Sequence, residues 1–241
     1  MTALYLHGLP GSGAELALAG RAMAVLDRDA PSFAQLALRL PEGPLHLVGF
    51  SLGAACALRL AALAPEKVAR LTLISAAAPL EMGDFLPRMA GAPVFRMAQG
   101  AARMAALTSV QSALARVSPG LFLKLLMRGT DASDAALFRR ETALLRQIMQ
   151  YGLGPGQAAY LREITAYVRP WARHVAHVGC PVTLHHGSED RWTPPAMAEA
   201  LAAALPHAEL IRHAGLGHYA TLHRVLSRGM DSKPARPFEG P

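Results

Sequence analysis

Apolar residues fall into two styles along this chain: short unbroken runs, and longer small-residue stretches at helical spacing. The runs are Ala3-Leu4-Tyr5-Leu6, Leu45-His46-Leu47-Val48, Ala69 to Ser75, the segment opening at Cys180-Pro181-Val182 and reaching His186, and Ala208 to Arg212. Each has the length and content of a buried strand. Met23 to Asp27 is a weaker strand pattern. After these runs come helical patterns: an Ala-rich stretch from Leu52, a helix opened by Pro194 or Pro195 with Met197 to Leu205 as its body, and a terminal helix beyond His218.

Between the strand at Ala69–Ser75 and the one near Pro181 lie about a hundred residues without strand alternation, far too many for a simple connection. Met89 to Val117, Leu121 to Met127, Ser133 to Gln150 and Gln157 to Val168 carry helical spacing, with a break at Tyr151 to Gly156. This stretch is expected to be a helical lid over residues 80–170, inserted into a core made of residues 1–79 and 171–229. Its Met89, Met97, Met104, Met127 and Met149, with Phe85, Phe95, Phe122 and Tyr160, either line an adaptable apolar pocket or pack helix on helix. Residues 230–241 have almost no apolar periodicity and read as a loose tail.

Composition narrows the picture. A chain of 241 residues, 52% hydrophobic, can bury one α/β core with an insertion. No run of about 18 apolar residues occurs, and the N-terminus lacks a secretory pattern, so the expectation is a cytoplasmic protein without a membrane partner. The net charge of +7 comes from scattered arginines without aromatic interleaving, which argues against nucleic acid. Cys56 and Cys180 have neither metal nor redox spacing. His185 and His186, with His174 and His177 upstream, invite a metal reading, but adjacent strand residues point to opposite faces, and no metal site is expected.

The chemistry concentrates in four places. Gly49-Phe50-Ser51-Leu52-Gly53 joins a strand pattern directly to a helix pattern, the context of a nucleophile elbow. There a serine sits in a strained turn, and side chains two positions either way would collide with it. Downstream, Gly187-Ser188-Glu189-Asp190 puts Asp190 just past a strand, and Gly215-Leu216-Gly217-His218 puts His218 in a loop before a helix. Active groups of open α/β sheets gather at such strand ends. Upstream, His7-Gly8-Leu9-Pro10-Gly11 follows the first strand, so the Leu9 N–H, with that of Leu52, is the candidate pair of oxyanion donors. His7, Phe50, Trp192, Met89 and Met97 are the candidate substrate contacts, with Trp192 either walling the cleft or packing the acid loop.

With these motifs in this order, the chain resembles the α/β-hydrolase superfamily, in its serine-nucleophile branch with a helical lid. His7-Gly8 is similar to the family's oxyanion motif, Gly49 to Gly53 to its elbow, Gly187 to Asp190 to its acid turn and Gly217-His218 to its histidine loop. The resemblance covers most of residues 3–228. It implies a mostly parallel sheet flanked by helices, here trimmed at the N-terminal edge because the chain starts almost on the His-Gly strand. It further implies a carboxylesterase-like enzyme acting on a small molecule without a cofactor. Ser51 would be the nucleophile, His218 the base and Asp190 its partner. Glu189, Glu81 and Asp84 are alternatives for the acid, and His213 and His223 for the histidine. The expected reaction is hydrolysis of a small or medium, mostly apolar ester or thioester. Lactone or carbon–carbon bond hydrolysis, acyl transfer, and noncatalytic ligand binding are the alternatives.

Overall fold

The computed structural model describes residues 1–229. The tail expected at 230–241 lies outside them. Six strands form one sheet: β1 (Thr2–Leu6), β2 (Ala24–Val25), β3 (Leu45–Phe50), β4 (Val68–Ile74), β5 (Val182–Gly187) and β6 (Ala208–His213). All pairings are parallel, in the order β2-β1-β3-β4-β5-β6. The connection from β1 runs outward to β2, then returns across β1 to β3, which places a topological switch point between β1 and β3. Their carboxyl ends are level, with Leu6 opposite Gly49.

The strands read as unbroken apolar runs because both faces are covered. Leu45 and Leu47 join one core cluster, and Val48 and Phe50 join the other, as a period of two requires. The first cluster packs the sheet against α1 (Phe33–Leu38), α2 (Leu52–Leu63) and α10 (Pro195–Ala204). Every residue of α2 from Leu52 to Ala61 is buried, and its alanines let the helix lie close to the strands. Arg59, the buried cation of that helix, lies over the rings of Phe33 and Trp171, 4.6 and 4.0 Å from their centroids. The second cluster joins the other face to α11 (His218–Arg228) and to the helices between β4 and β5.

Those helices are α3 (Ala92–Ala98), α4 (Ala101–Val117), α5 (Pro119–Leu126), α6 (Ala132–Arg140), α7 (Thr142–Leu153) and α8 (Gln157–Tyr167), followed by the short α9 (Ala172–Val175). The periodic stretches are more broken than the sequence predicts. Met89–Val117 is not one helix: Met89 is extended, and Gly100 adopts extended torsions between α3 and α4. Ser133–Gln150 divides at Glu141, where the Thr142 hydroxyl donates back to Phe138 O at 2.7 Å, a bond that competes with the helical ladder. The Met23–Asp27 segment contributes only the two-residue edge strand β2, so the sheet is short on that side. Sequence patterning did not mark α1 or the 3₁₀ helix Gly13–Ala19, both opened by serine caps at Ser32 and Ser12. Among the described residues, no helix is long and apolar enough to cross a membrane.

Candidate active site

Strand β3 runs directly into α2 through Ser51, whose torsions, φ 57 and ψ −123, lie where few non-glycine residues go. The neighbouring glycines make this turn possible. A Cβ on Gly49 would strike the backbone of Ala54, and one on Gly53 would strike the carbonyls of Leu6 and His7. The Ser51 N–H donates to Ile74 O at 3.0 Å, which ties the turn to β4. Its hydroxyl makes no capping bond to α2, and the residue lines an apolar cavity.

Asp190 follows β5 and is buried. Its Oδ1 accepts from the N–H groups of Trp192 and Thr193, both at 2.9 Å. Its Oδ2 lies 2.8 Å from His218 Nδ1. The Thr193 hydroxyl supports this pair from the side, 2.9 Å from Asp190 Oδ2 and 3.2 Å from His218 Nδ1. Burial alone would raise the Asp190 pKa, but the charge and hydrogen bond of His218 outweigh it and hold the carboxyl below its usual value. Burial likewise opposes the charged form of His218. There the Asp190 carboxylate and its bond prevail, followed by Asp134 and Glu15, and the imidazole pKa is raised above 6.5. The bond through Nδ1 places the neutral ring's proton on that nitrogen and leaves Nε2 as the acceptor.

The other carboxylates and histidines weighed for these roles are engaged elsewhere or open to solvent. Glu81 accepts from the backbone N–H groups of Trp171 and Ala172, and Asp84 and Glu189 are exposed. His213 stacks on His185, with Nε2 3.1 Å from His185 Nδ1, and His223 lies beside Arg140. His186 Nε2 is 2.7 Å from Thr193 O, so His185 and His186 do face different surroundings.

The loop after β1 is braced from below. Glu15 Oε1 accepts from the Gly8 N–H at 2.8 Å and from the Tyr5 hydroxyl at 2.6 Å, in a site with no solvent exposure. Burial pushes the Glu15 carboxyl up to about 7, against those two bonds. Leu9, the next residue, lines the same cavity as Ser51 and Leu52. Leu52 opens α2, where the first N–H groups have no acceptor within the helix.

The rest of the cavity wall comes from Pro10, Ala77, Gly91, Trp192 and Thr193 and, from the helices between β4 and β5, Val94, Phe95, Gln111, Phe122, Leu126, Tyr160 and Ile164. Its free volume is about 70 Å³. The Trp192 indole Nε1 and Gln111 Oε1 are buried there without a protein partner. Of the candidate substrate contacts, Trp192 lies on this wall and the other four do not. Phe50 is fully buried, its ring packed against His218 and Tyr219 with centroids 4.7 and 5.1 Å apart. Met89 packs into the sheet core and Met97 into the helical cluster. His7 faces a separate groove of about 740 Å³, beside Arg28, whose Nη2 is 2.8 Å from His7 Nδ1. Phe95, Phe122 and Tyr160, expected from the sequence to line a pocket or pack helices, are on the wall. Leu126 and Ile164 were missed. They lie four residues after Phe122 and Tyr160, on the same helix faces, and that spacing was the available signal.

A parallel sheet with a serine at a strand-to-helix elbow, facing the carboxyl edge where a buried aspartate–histidine pair sits, is the architecture of the α/β hydrolases. A sequence profile described as the alpha/beta hydrolase fold matches residues 25–224, and the chain belongs to that family. Among curated proteins, it is similar to a pimeloyl-(acyl-carrier protein) methyl ester esterase of Neisseria meningitidis serogroup A, 28% identical over 206 residues. That match covers 80% of this chain, and the chain spans 60% of the relative's length. Among solved structures, a thermophilic esterase from Thermogutta terrifontis superposes with a TM-score of 0.65 at 17% identity, over 93% of this chain and 85% of that one. A bromoperoxidase from Bacillus anthracis gives a TM-score of 0.62 at 18% identity, over 94% and 89%. At such identities the superpositions establish the fold.

Proposed function

We propose that the protein is a serine esterase that hydrolyses a small or medium, mostly apolar carboxylic ester or thioester through an acyl-enzyme on Ser51. The observation that carries this reading is the 2.8 Å bond between Asp190 and His218 at the sheet edge where Ser51 stands in its elbow. His218 Nε2 takes the Ser51 proton as the hydroxyl oxygen attacks the ester carbonyl. Asp190 keeps the ring in the useful tautomer and stabilises the imidazolium. The Leu9 and Leu52 N–H groups receive the developing oxyanion, an effect worth about 3 kcal/mol for one donor. The imidazolium then protonates the departing alkoxide or thiolate, and water activated by the same histidine releases the acid and regenerates Ser51.

The apolar wall supports an acyl group of hydrocarbon character, and the name of the Neisseria relative supports a carboxylic ester over a lactone or a carbon–carbon bond. Trp192 Nε1 and Gln111 Oε1 offer one donor and one acceptor for a polar group within that acyl chain. Residues 80–170 act as the lid: they supply much of the wall, and with about 70 Å³ free they must move to admit all but the shortest acyl groups.

The test is labelling by a fluorophosphonate probe read by intact mass, on wild type and Ser51→Ala, followed by a p-nitrophenyl ester series. Single labelling lost in the variant, with turnover of an ester, is the expected result. A folded wild type that neither labels nor turns over would favour a ligand-binding protein instead.

A further inference from the structure

Helix α11 begins at His218, and its cap residue Gly217 has no side chain with which to satisfy the first N–H groups. The acceptors come from the insertion. Asp134, near the start of α6, accepts from the His218 N–H through Oδ2 at 3.0 Å and from the Ala220 N–H through Oδ1 at 2.8 Å. Beside it, Ser133 Oγ accepts from the Gly217 N–H at 2.8 Å. The start of α6 is held in turn by Asp131, whose Oδ1 accepts from the Ser133 N–H at 2.7 Å and from its hydroxyl at 2.6 Å. A Cβ on Gly217 would run into the Asp131 carboxylate and force it to shift, so glycine here lets the two helix starts approach with that carboxylate in place. Asp134 is fully buried, and no step of the proposed reaction employs it.

We propose that Asp134 is a positioning residue for His218: a carboxylate of the insertion caps the histidine's helix from outside, so that the base is aligned only while the insertion is docked. The proposal rests on the reading of His218 as general base. A carboxylate at a helix N-terminus is held by N–H groups that carry partial positive charge, and here it fixes the backbone of the residue whose ring must meet Asp190. A misplacement of about 1 Å at such a group can cost about 100-fold in rate. The same contact has an electrostatic consequence. The groups facing His218 are Asp190 from the loop after β5, Asp134 from α6, Glu15 from the 3₁₀ helix and His186 from β5. Asp134, itself pushed up to about 7 by burial, favours the imidazolium when ionised. Removing its charge therefore lowers the proton affinity of His218.

The experiment is an NMR titration of the His218 imidazole in wild type and Asp134→Asn, assigned with His218→Gln, together with steady-state turnover of p-nitrophenyl butyrate. In D134N, His218 is expected to titrate at lower pH than in wild type. The acid limb of kcat/KM should move the same way, and kcat should fall about 10-fold with KM within about twofold. An unshifted His218 titration overturns the proposal, whether or not turnover falls. Should D134N fail to fold, Ser133→Ala, which removes the Gly217 acceptor together with the hydroxyl's bond to Asp131 and leaves the Asp134 carboxylate in place, carries the test. It should lower kcat a few-fold at unchanged KM, with recovery in Ser133→Thr, and an unchanged kcat overturns the proposal. Absence of wild-type turnover on every ester would count against the hydrolase reading and leave the titration to decide the cap.

Discussion

At Ser51 a strained backbone conformation is held by its surroundings: the N–H is tied to Ile74, and the glycines on either side keep the turn clear. In the proposed reaction the strain serves to present one hydroxyl. Ser51→Ala should therefore fold normally and reduce kcat/KM for a p-nitrophenyl ester by at least about 10⁴-fold. The pH profile follows from His218, the base of the proposed reaction. His218 accepts a proton only when neutral, and its pKa is raised above 6.5, so kcat/KM should rise with pH through that ionisation, while Asp190, held below 3.8, stays charged throughout. In Asp190→Asn the largest favourable influence on the imidazolium disappears. The acid limb should then move to lower pH and kcat should drop by about 10³- to 10⁴-fold, both measurable in one set of pH–rate curves.

At the scale of elements, α5 and α8 bring Phe122, Leu126, Tyr160 and Ile164 to the wall of the cavity that Ser51 lines, and in the proposed reaction their bulk would set the length of acyl chain that fits. Phe122→Ala should shift the optimum of a p-nitrophenyl ester series toward longer chains; an unchanged chain-length profile would place acyl recognition elsewhere. The major strands and the helices that follow the elbow and the acid turn were legible in the sequence, because both-face burial and glycine spacing leave local marks. The elbow was legible for the same reason, since Gly49 and Gly53 answer to atoms within a few residues or on the adjacent strand. The pocket wall was not. Met89, Met97, Phe122 and Leu126 look alike as apolar helix positions, and only tertiary packing turns the first two into core and the last two toward the serine. Asp134 was hidden for a related reason: it caps a helix far along the chain, and no local pattern announces a cap supplied from elsewhere.

Across the whole molecule, the segment after β2 and the helices between β4 and β5 are joined by a buried ion pair. Arg28, in the segment between β2 and α1, meets Glu163 of α8 at 2.9 Å with both side chains almost fully enclosed. Breaking such a pair from one side leaves an uncompensated charge and typically costs about 3–5 kcal/mol. Glu163→Ala should accordingly lower the melting temperature by roughly 10 °C, a drop readable by calorimetry. The sheet itself carries a consequence for how the chain is made. β4 ends at Ile74 and its neighbour β5 begins only at Val182, so during synthesis the inner edge of β4 stands open, its N–H and C=O groups unpaired, while the helices between them are still emerging. Closing that gap is a late, long-range event. A nascent chain stalled before Val182 would bear a sticky ribbon edge, which makes this interval the point at which chaperone demand and aggregation in the cell should be greatest.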